Sequence, residues 1–229
     1  MSKTMIDLAV LDMAGTTVAD DGLVLQAFDI AATEAGIDAE GPQRDHARKY
    51  VLDTMGQSKI TVFRALLGDE HRAQLANQTF EQAYDRLIDE VGIAPIPGAA
   101  EAVSALREAN VRVALTTGFS RATQDRLLAA LGWTDIADLT VSPSEAGRGR
   151  PYPDMVLTAV LRLRIDSVHR VAVLGDTTSD IATGHAAGAR IVAGTLTGAH
   201  DADRLRAAGA THVLASVAEF ATVILEECS

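Results

Sequence analysis

The sequence has one cysteine, few aromatic residues and no long apolar run. Because Cys228 is the only cysteine, no disulfide can form within the chain, which is typical of a reducing compartment. Aromatic residues make up 4% of the chain, so the core has to be built mainly from Ala, Val, Leu and Ile. No run reaches transmembrane length, and the apolar run near the N-terminus is too short for a signal peptide. We therefore expect a soluble cytoplasmic protein.

Positive charge is scarce as well. The chain has 20 Lys and Arg residues against 31 Asp and Glu residues, a formal net charge of −11. This balance argues against polyanionic partners, so we expect neither nucleic acid nor a membrane surface as a partner. A small anionic substrate remains compatible with it, because the local field of a site matters more than the net charge.

Short apolar runs recur along the chain and are rich in Val, Leu or Ile. Such continuous runs are typical of strands that are buried on both faces of a parallel sheet. Segments of helical length and amphipathic pattern separate most of them, which predicts an open α/β fold. The strands are expected at 6–12, 111–117, 137–141, 170–176, 189–194 and 211–216. The helices between them are expected at 98–109, 120–131, 153–164, 179–187 and 200–208.

The interval 19–93 contains no convincing strand. Three segments within it have a helical pattern, at 23–36, 59–68 and 80–92. The interval is too long for a simple crossover between two strands. We therefore expect an inserted helical domain at 19–93 and a core formed by 1–18 and 94–229.

Polar residues stand where the predicted strands end. Asp12 ends the first strand, Thr116 and Thr117 end the second, and Asp176 ends a later one, with Asp180 four residues further on. Open parallel sheets bind ligands beyond these carboxyl ends. Each aspartate alone could equally be a turn or N-cap residue. As a group they would repel one another, and a divalent cation with oxygen ligands, Mg²⁺, would relieve that repulsion.

The segment 116–118 and an arginine complete a pattern typical of phosphoryl transfer. The Thr-Thr-Gly sequence precedes a helix that starts near Ser120, so its N–H groups and hydroxyls could cradle an anion. Arg150, in a turn rich in Gly and Pro, could neutralise a phosphoryl oxygen, and spacing alone does not separate it from Arg148. Asp12 would then be the nucleophile that accepts the phosphoryl group, with Mg²⁺, hydroxyl and arginine spreading its charge.

Four motifs in order resemble the haloacid dehalogenase-like (HAD) hydrolase superfamily: "DMAGTTV", "ALTTG", "GRPYPD" and "GDTTSD". The resemblance implies a Rossmann-like parallel sheet core with an inserted all-helical cap domain, and a cap-to-cap homodimer as one arrangement. It implies catalytic roles for Asp12 as nucleophile, Thr116 as phosphate-binding hydroxyl and Arg150 as the basic residue of the third motif. The implied Mg²⁺ ligands are Asp12, the carbonyl oxygen of Ala14, Asp176 and Asp180. Thr117 and Gly118 are expected to join Thr116 and Arg150 in binding phosphate.

Ala14 restricts the resemblance to one subfamily of these hydrolases. Most phosphatases of the superfamily carry an aspartate at this place, which protonates the leaving group. The phosphonatase-like subfamily, which cleaves a carbon–phosphorus bond, has alanine there and a cap lysine in "M-G-x-x-K". In this chain the matching residues are Met55, Gly56 and Lys59 in "MGQSK". The resemblance implies that Lys59 forms an imine with a substrate aldehyde and that Met55 and Gly56 contact the substrate.

Three departures from the subfamily keep other functions open. Phe119 stands in place of a tyrosine, Val62 in place of a histidine, and "ADDGLV" has no cysteine. The substrate could therefore be a small phosphonate or a phosphate ester, the latter hydrolysed by a phosphatase of the phosphoglycolate phosphatase type. A non-catalytic binding protein with the same fold is a third possibility, and Lys59 could be a solvated charge on an amphipathic helix. Of the histidines, His200 is among those expected at the surface, away from the motifs.

Overall fold

A computed structural model describes residues 6–228. The first five residues of the predicted core segment 1–18, and Ser229, lie outside the described residues. Six parallel strands form one sheet in the order β3-β2-β1-β4-β5-β6 within the described part of the chain. They are β1 (Leu8–Asp12), β2 (Arg112–Thr116), β3 (Leu139–Val141), β4 (Val171–Gly175), β5 (Ile191–Thr195) and β6 (His212–Leu214). Five of them lie within the predicted runs, and β5 extends one residue past the run 189–194, so the predicted parallel sheet is confirmed.

The sheet is buried on both faces. All five residues of β1 are buried, and their side chains alternate between two apolar layers. Ala9 and Leu11 belong to the layer that continues into the segment between β1 and β2. Leu8 and Val10 belong to the layer on the opposite face. This two-sided burial is why the strand sequences are continuously apolar rather than alternating.

Eleven α-helices surround the sheet within residues 6–228. Five lie between β1 and β2, and the first four of these are α1 (Leu23–Glu34), α2 (Pro42–Asp53), α3 (Lys59–Leu67) and α4 (Glu70–Val91). The others are α5 (Ala99–Glu108), α6 (Arg121–Ala130), α7 (Pro143–Ala146), α8 (Asp154–Arg162), α9 (Thr178–Ala187), α10 (Ala202–Ala207) and α11 (Val217–Cys228). The five predicted core helices correspond to α5, α6, α8, α9 and α10. No helix among the described residues is both long and apolar enough to span a membrane.

Three helices were not predicted, and α2 shows why. Its sequence, "PQRDHARKYVLD", is polar, so it lacks an apolar stripe that would mark it. Its buried anchor is Arg44, whose guanidinium donates hydrogen bonds to the carbonyl oxygens of Ile37 and Asp38 and to the side chains of Asp29 and Thr33. A charged residue that is fully satisfied by hydrogen bonds fixes this helix, and hydrophobic patterning does not detect such an anchor. The other two are α7, a single turn closed by a capping box, and α11 near the C-terminus.

The helices α1–α4 form the inserted segment, whose boundaries at 19 and 93 remain our proposal. Helix α4 packs against α1 and α3, and together they enclose an aromatic cluster. The cluster consists of Phe28, Phe63, Phe80 and Tyr84 from the insert and Phe119 from the core. Four of the five phenylalanines of the chain therefore belong to the cluster that packs the insert against the sheet domain.

The loop between α2 and α3 also contacts the core, through glycines. A Cβ on Gly118 would lie 2.6 Å from the carbonyl oxygen of Gln57 and 2.8 Å from that of Gly56. On the other side, Gly56 has a φ of 85° and its own Cβ would lie 2.5 Å from Oγ1 of Thr177. Backbone therefore meets backbone where the insert touches the core, which only glycine permits at these distances.

We predict that Gly118→Ala loosens this contact, because the added methyl group collides with two carbonyl oxygens that cannot both move aside. Overpacking of this kind costs about 1–3 kcal/mol. Hydrogen–deuterium exchange should accelerate in the loop 54–58 while the β-strands keep their protection. Gly132→Ala is the control for general destabilisation: its φ of 67° strains an alanine, but nothing lies within 4 Å of its Cβ position, so exchange of 54–58 should stay unchanged. Unchanged exchange of 54–58 in Gly118→Ala would contradict the prediction.

Candidate active site

The carboxyl ends of three neighbouring strands bring the predicted acidic and hydroxyl side chains together. Asp12 at the end of β1 is in register with Thr116 of β2, and β4 lies on the other side of β1. After β1 the chain turns sharply: the carbonyl oxygen of Met13 accepts hydrogen bonds from the N–H groups of Thr16, Thr17 and Val18. The strand order reverses between β1 and β4, the position where open α/β sheets place ligands.

The side chain of Arg150 contacts several of the segments that form this site. Its side chain is buried, with Nη2 2.7 Å from Oδ1 of Asp12 and Nε 2.7 Å from Oδ1 of Asp180. Nη2 also donates to Oγ1 of Thr116 at 2.8 Å, and Nη1 donates to the carbonyl oxygen of Gly56 at 3.3 Å. One guanidinium therefore contacts the ends of β1 and β2, helix α9 and the loop of the insert.

The structure separates the two arginines that sequence spacing left open. Arg148 is exposed on the surface, where it forms a two-pronged ion pair with Asp154 and stacks on the ring of Tyr152, 4.2 Å from its centroid. Among the described residues its partners do not include Asp12, Asp176 or Asp180. Of the two arginines, only Arg150 therefore lies where it could neutralise a phosphoryl oxygen beside Asp12.

Asp176 is cradled by backbone. Its Oδ2 accepts a hydrogen bond of 2.7 Å from the N–H of Ala199, and its Oδ1 accepts one of 3.3 Å from the hydroxyl of Thr16. A Cβ on Gly15 or on Gly198 would lie 2.5 Å or 2.0 Å from Oδ2 of Asp176. The two glycines are therefore required for the turn after β1 and the loop after β5 to close around this carboxylate.

Negative charge exceeds positive charge among these buried groups. Burial, together with the charges of Asp180 and Asp176, raises the pKa of Asp12 well above its usual range in spite of Arg150. Burial and the neighbouring Asp180 raise the pKa of Asp176 to about 7. The cluster thus holds three buried carboxylates and one guanidinium, an imbalance that protons or a cation must relieve.

A magnesium ion fits this donor set. Within residues 6–228, no group of three or more acidic, histidine or cysteine side chains converges as a ready-made metal cage. Mg²⁺ typically takes only one or two protein carboxylates and completes its shell with water and substrate oxygens. Asp12, the carbonyl oxygen of Ala14 and Asp176 could supply the protein ligands.

Both carboxylate oxygens of Asp180 already have partners. Its Oδ1 pairs with Arg150, and its Oδ2 accepts hydrogen bonds from the hydroxyl of Thr177 at 2.5 Å and from the N–H of Thr177 at 3.1 Å. With both oxygens engaged, this carboxylate could hold Arg150 and the start of α9 in place, behind the metal ligands. Direct metal ligation by Asp180 would require these bonds to break.

The two threonines after β2 also divide their tasks. The hydroxyl of Thr116 is already bound by Arg150, whereas Thr117 lines a cavity in front of Asp12. The Thr117 hydroxyl accepts a hydrogen bond of 3.2 Å from the N–H of Phe119. The geometry therefore favours Thr117 and Gly118 for direct contact with an anion. The hydroxyl of Thr116 instead helps to hold Arg150 in position.

The cavity has a volume of about 480 Å³ and lies between the core and the insert. Asp12, Ala14, Arg150 and Asp176 form its core side. Met55, Gly56 and Lys59 reach it from the insert, as the sequence predicted. The remaining wall includes the apolar side chains of Val24, Leu25, Leu52, Ile96 and Phe119.

Lys59 is not a surface lysine. It is the first residue of α3 and is half-buried, with Nζ 5.4 Å from the ring centroid of Phe119 and 5.8 Å from that of Phe80. Burial lowers the pKa of Lys59 to about 8, although the carboxylates of Asp20 and Asp12 act in the opposite direction. The structure therefore places Lys59 in the wall of the cavity rather than on a fully exposed helix face.

The loop after β5 also belongs to the site, and the sequence analysis did not predict its contribution. Thr197 donates a hydrogen bond of 2.7 Å to the carbonyl oxygen of Gly15, and Gly198 and Ala199 close on Asp176. The expectation of a surface position for His200 is wrong: its side chain is 3% exposed. Its Nδ1 accepts from the N–H of Thr178, and its Nε2 contacts the carbonyl oxygen of Leu52 in the insert. The position of "TGAH" directly after a strand was the available signal.

Comparisons with known proteins identify the family and the fold. The family model described as haloacid dehalogenase-like hydrolase matches residues 6–188. A phosphonoacetaldehyde hydrolase of Bacillus thuringiensis (strain Al Hakam) is 30% identical over 203 residues, which cover 80% of this chain and 73% of that protein. The solved structure of a phosphonoacetaldehyde hydrolase-like protein from Oleispira antarctica superposes with a TM-score of 0.83 at 24% identity, covering 98% of this chain and 93% of the other. A predicted phosphoglycolate phosphatase from Haemophilus somnus has a TM-score of 0.78 at 14% identity, covering 95% and 97%.

The charge imbalance predicts how stability depends on pH when metal is removed with EDTA. Because the folded state raises the pKa of Asp176 to about 7, folding binds a proton in the window between about pH 4 and pH 7, and stability falls as the pH rises through it. Asp176→Asn removes this contribution. The variant should therefore be more stable than the wild type at pH 8, by about 2 kcal/mol or more, and the difference should shrink towards pH 4. Urea unfolding measures it.

Asp203→Asn is the control for that measurement, because Asp203 is exposed and remote from the cluster. Its effect should be small and should not change across the same pH range. A loss of stability in Asp176→Asn at pH 8 would show that the buried carboxylates are not in conflict.

Proposed function

The chain belongs to the haloacid dehalogenase-like hydrolase family, and we propose that it is a magnesium-dependent hydrolase that cleaves the carbon–phosphorus bond of a small phosphonate aldehyde. The single observation that carries this proposal is Lys59, an amine with a lowered pKa in the cavity that Asp12 also lines. Its curated relatives named phosphonoacetaldehyde hydrolase support the substrate class.

The phosphoryl half of the reaction rests on Asp12. One carboxylate oxygen forms a bond to phosphorus while the bond from phosphorus to the leaving carbon breaks, which gives an aspartyl-phosphate that water then hydrolyses. Arg150 neutralises the carboxylate and the phosphoryl oxygens, and the loop at Thr117 and Gly118 binds those oxygens. When bound, Mg²⁺ supplies positive charge to the buried carboxylates and the transferring group.

Ala14 leaves the carbon–phosphorus reaction without an acid next to the nucleophile. It lines the cavity two residues after Asp12, in the place where a carboxyl group would protonate an alkoxide. A leaving group that departs with its electron pair already delocalised has no need of that proton. An imine at Lys59 provides the delocalisation, since the pair from the broken bond moves into the carbon–nitrogen system as an enamine.

Imine formation requires a neutral amine. An ordinary lysine with a pKa of about 10.4 is neutral roughly once in 2,500 molecules at pH 7. At the pKa of about 8 of Lys59, about a tenth of the molecules are neutral at that pH. Burial between the insert and the core produces this change in the pKa, which an exposed helix position would not.

A small-molecule phosphatase of the phosphoglycolate phosphatase type is the second candidate. Two observations favour it: Val62 is buried in the interior of the insert, and Phe119 offers no hydroxyl, so neither supplies a group for chemistry on an aldehyde. The structural neighbour from Haemophilus somnus shows only that the fold is shared. A non-catalytic role is disfavoured because Asp12, Arg150 and Asp176 are all assembled.

The proposal extends to the setting of the protein. We propose a small-molecule substrate in the cytoplasm and neither nucleic acid nor a membrane as partner, which the net charge of −11 supports. A cap-to-cap homodimer stays a prediction, which analytical ultracentrifugation can test.

We predict that sodium borohydride, added to the wild-type enzyme with phosphonoacetaldehyde, traps a covalent adduct on Lys59. Lys59→Met should lose the adduct and at least 10³-fold of the carbon–phosphorus cleavage, because no electron sink remains. The chain has only three lysines, so peptide mass spectrometry assigns the adduct directly, and Lys49→Met is the matched control. Turnover of phosphonoacetaldehyde by Lys59→Met at the wild-type rate would refute the imine, and phosphoglycolate turnover independent of Lys59 would favour the phosphatase.

We predict that Ala14→Asp raises turnover of phosphate monoesters by on the order of 10²-fold, because it supplies the missing acid for an alkoxide. Cleavage of the phosphonate should not gain. Ala14→Asn has nearly the same size without the proton, so it separates acid catalysis from a change in cavity shape. The substrates for this comparison are simple alkyl phosphates, whose alkoxide leaving groups need protonation. Equal rates for the two variants on them would contradict the prediction.

A further inference from the structure

The cavity contains a carboxylate that phosphoryl transfer does not use. Asp20 lies in the segment that leaves the turn after β1 and leads into α1, and its side chain lines the cavity together with Lys59. It is half-buried, and its Oδ1 accepts a hydrogen bond of 3.3 Å from the N–H of Val24. The neighbouring Asp21 also borders the cavity but is exposed.

Asp20 and Lys59 act on each other across this space. Burial raises the pKa of Asp20, and Lys59 opposes that rise. The charge of Asp20 in turn is the largest influence that opposes the fall in the pKa of Lys59. Among residues 6–228 no hydrogen bond or ion pair to the Lys59 amine is found, and its Nζ faces the rings of Phe80 and Phe119. Asp12, Arg150 and Asp176 are the other charged groups that act on this amine.

Imine chemistry needs a group that moves protons at the aldehyde. The titratable side chains that line the cavity are Asp12, Asp20, Asp21, Lys59, Arg150 and Asp176. Three of these serve the phosphoryl group, Lys59 is the amine, and Asp21 is exposed to solvent. Ala14, Val62 and Phe119 bear no proton that could be exchanged. Asp20 is therefore the partly buried carboxylate left for the aldehyde side.

We propose that Asp20 is the catalytic acid–base group for imine formation and hydrolysis at Lys59, an inference that rests on the proposed carbon–phosphorus hydrolase function. As the Lys59 nitrogen bonds to the aldehyde carbon, the carbon–oxygen π bond opens. The Asp20 carboxylate accepts a proton from nitrogen and the oxygen takes up a proton from bulk solvent, which gives a neutral carbinolamine. A protonated Asp20 then donates to the hydroxyl group, the carbon–oxygen bond breaks, and water leaves. The nitrogen lone pair forms the double bond of a protonated imine, opposite the restored Asp20 carboxylate. After phosphoryl transfer, the enamine carbon takes up a proton from solvent and becomes a protonated imine again. Water then adds to the imine carbon, and the steps above run in reverse to release the aldehyde and the neutral Lys59 amine.

The test compares Asp20→Asn with Asp21→Asn in rapid-quench borohydride trapping with phosphonoacetaldehyde. Asp20→Asn should slow the appearance of the Lys59 adduct by at least tenfold, on the order of 10²-fold, because the proton transfers lose their carrier. Asp21→Asn should form the adduct at the wild-type rate. Equal rates in wild type and Asp20→Asn would overturn the role of Asp20 while leaving the proposed function intact. A wild-type enzyme that forms no adduct would overturn the proposed function and, with it, this inference.

A second variant separates proton transfer from a purely structural role at the start of α1. In Asp20→Ala, added formate should restore part of the rate of adduct formation, since a small carboxylic acid can occupy the vacated space and carry the proton. Acetamide, which has a similar shape but no exchangeable acid, should not. Rescue by neither or by both would count against acid–base catalysis at this position.

A third readout does not depend on the substrate. Reductive ¹³C-methylation of the three lysines allows an NMR titration of each one. Because Asp20 raises the pKa of Lys59, Asp20→Asn should shift the Lys59 titration to lower pH, and Asp21→Asn should leave it unchanged. An unshifted titration in Asp20→Asn would show that the two side chains do not face each other in solution.

Discussion

The guanidinium of Arg150 is the contact on which the site depends. It lies between Asp12 and Asp180, which are both buried and would otherwise repel each other, and it also binds Thr116 at the end of the adjacent strand. A buried carboxylate that loses its cation costs several kcal/mol, so this arginine favours the ionised form of Asp12. Burial and the two neighbouring carboxylates act in the opposite direction and hold the pKa of Asp12 above its usual range. A lysine could neutralise one carboxylate, but it lacks the planar fork that serves several acceptors at once. The choice of arginine in the third motif therefore has a geometric reason in this chain.

A second constraint comes from the few aromatic residues. Phe119 leaves the core directly after the Thr-Thr-Gly turn and stacks against Phe80 and Tyr84 of the insert. The same rings form the wall beside the Lys59 amine. The packing that joins the two parts of the molecule is thus also the environment that keeps this lysine partly neutral. A change that loosens the aromatic cluster would affect stability and amine reactivity together.

Most of the sheet could be predicted from the sequence, because strands buried on both faces must be continuously apolar, and six such runs were visible. The acidic residues at the strand ends followed from the same topology, and the motif order gave the family. What escaped prediction depends on contacts between distant segments. Helix α2 is fixed by the buried Arg44, and the loop at 197–200 closes on Asp176 from another strand. The buried ring of His200 reaches the carbonyl oxygen of Leu52 in the insert. Spacing also could not tell Arg150 from Arg148, since their difference is burial in the folded chain.

The glycine contacts between loop 54–58 and the core have a consequence for how new specificities could arise. At Gly118, carbonyl oxygens of the insert occupy the space where a side chain would lie, and at Gly56 the side chain of Thr177 does so. These positions therefore leave no room for a larger residue. Diversification within the lineage would instead fall on side chains of the cavity wall that touch no partner backbone, such as Leu25 and Leu52. Exchanging these for larger, smaller or polar residues could retune substrate preference without disturbing how the enzyme closes.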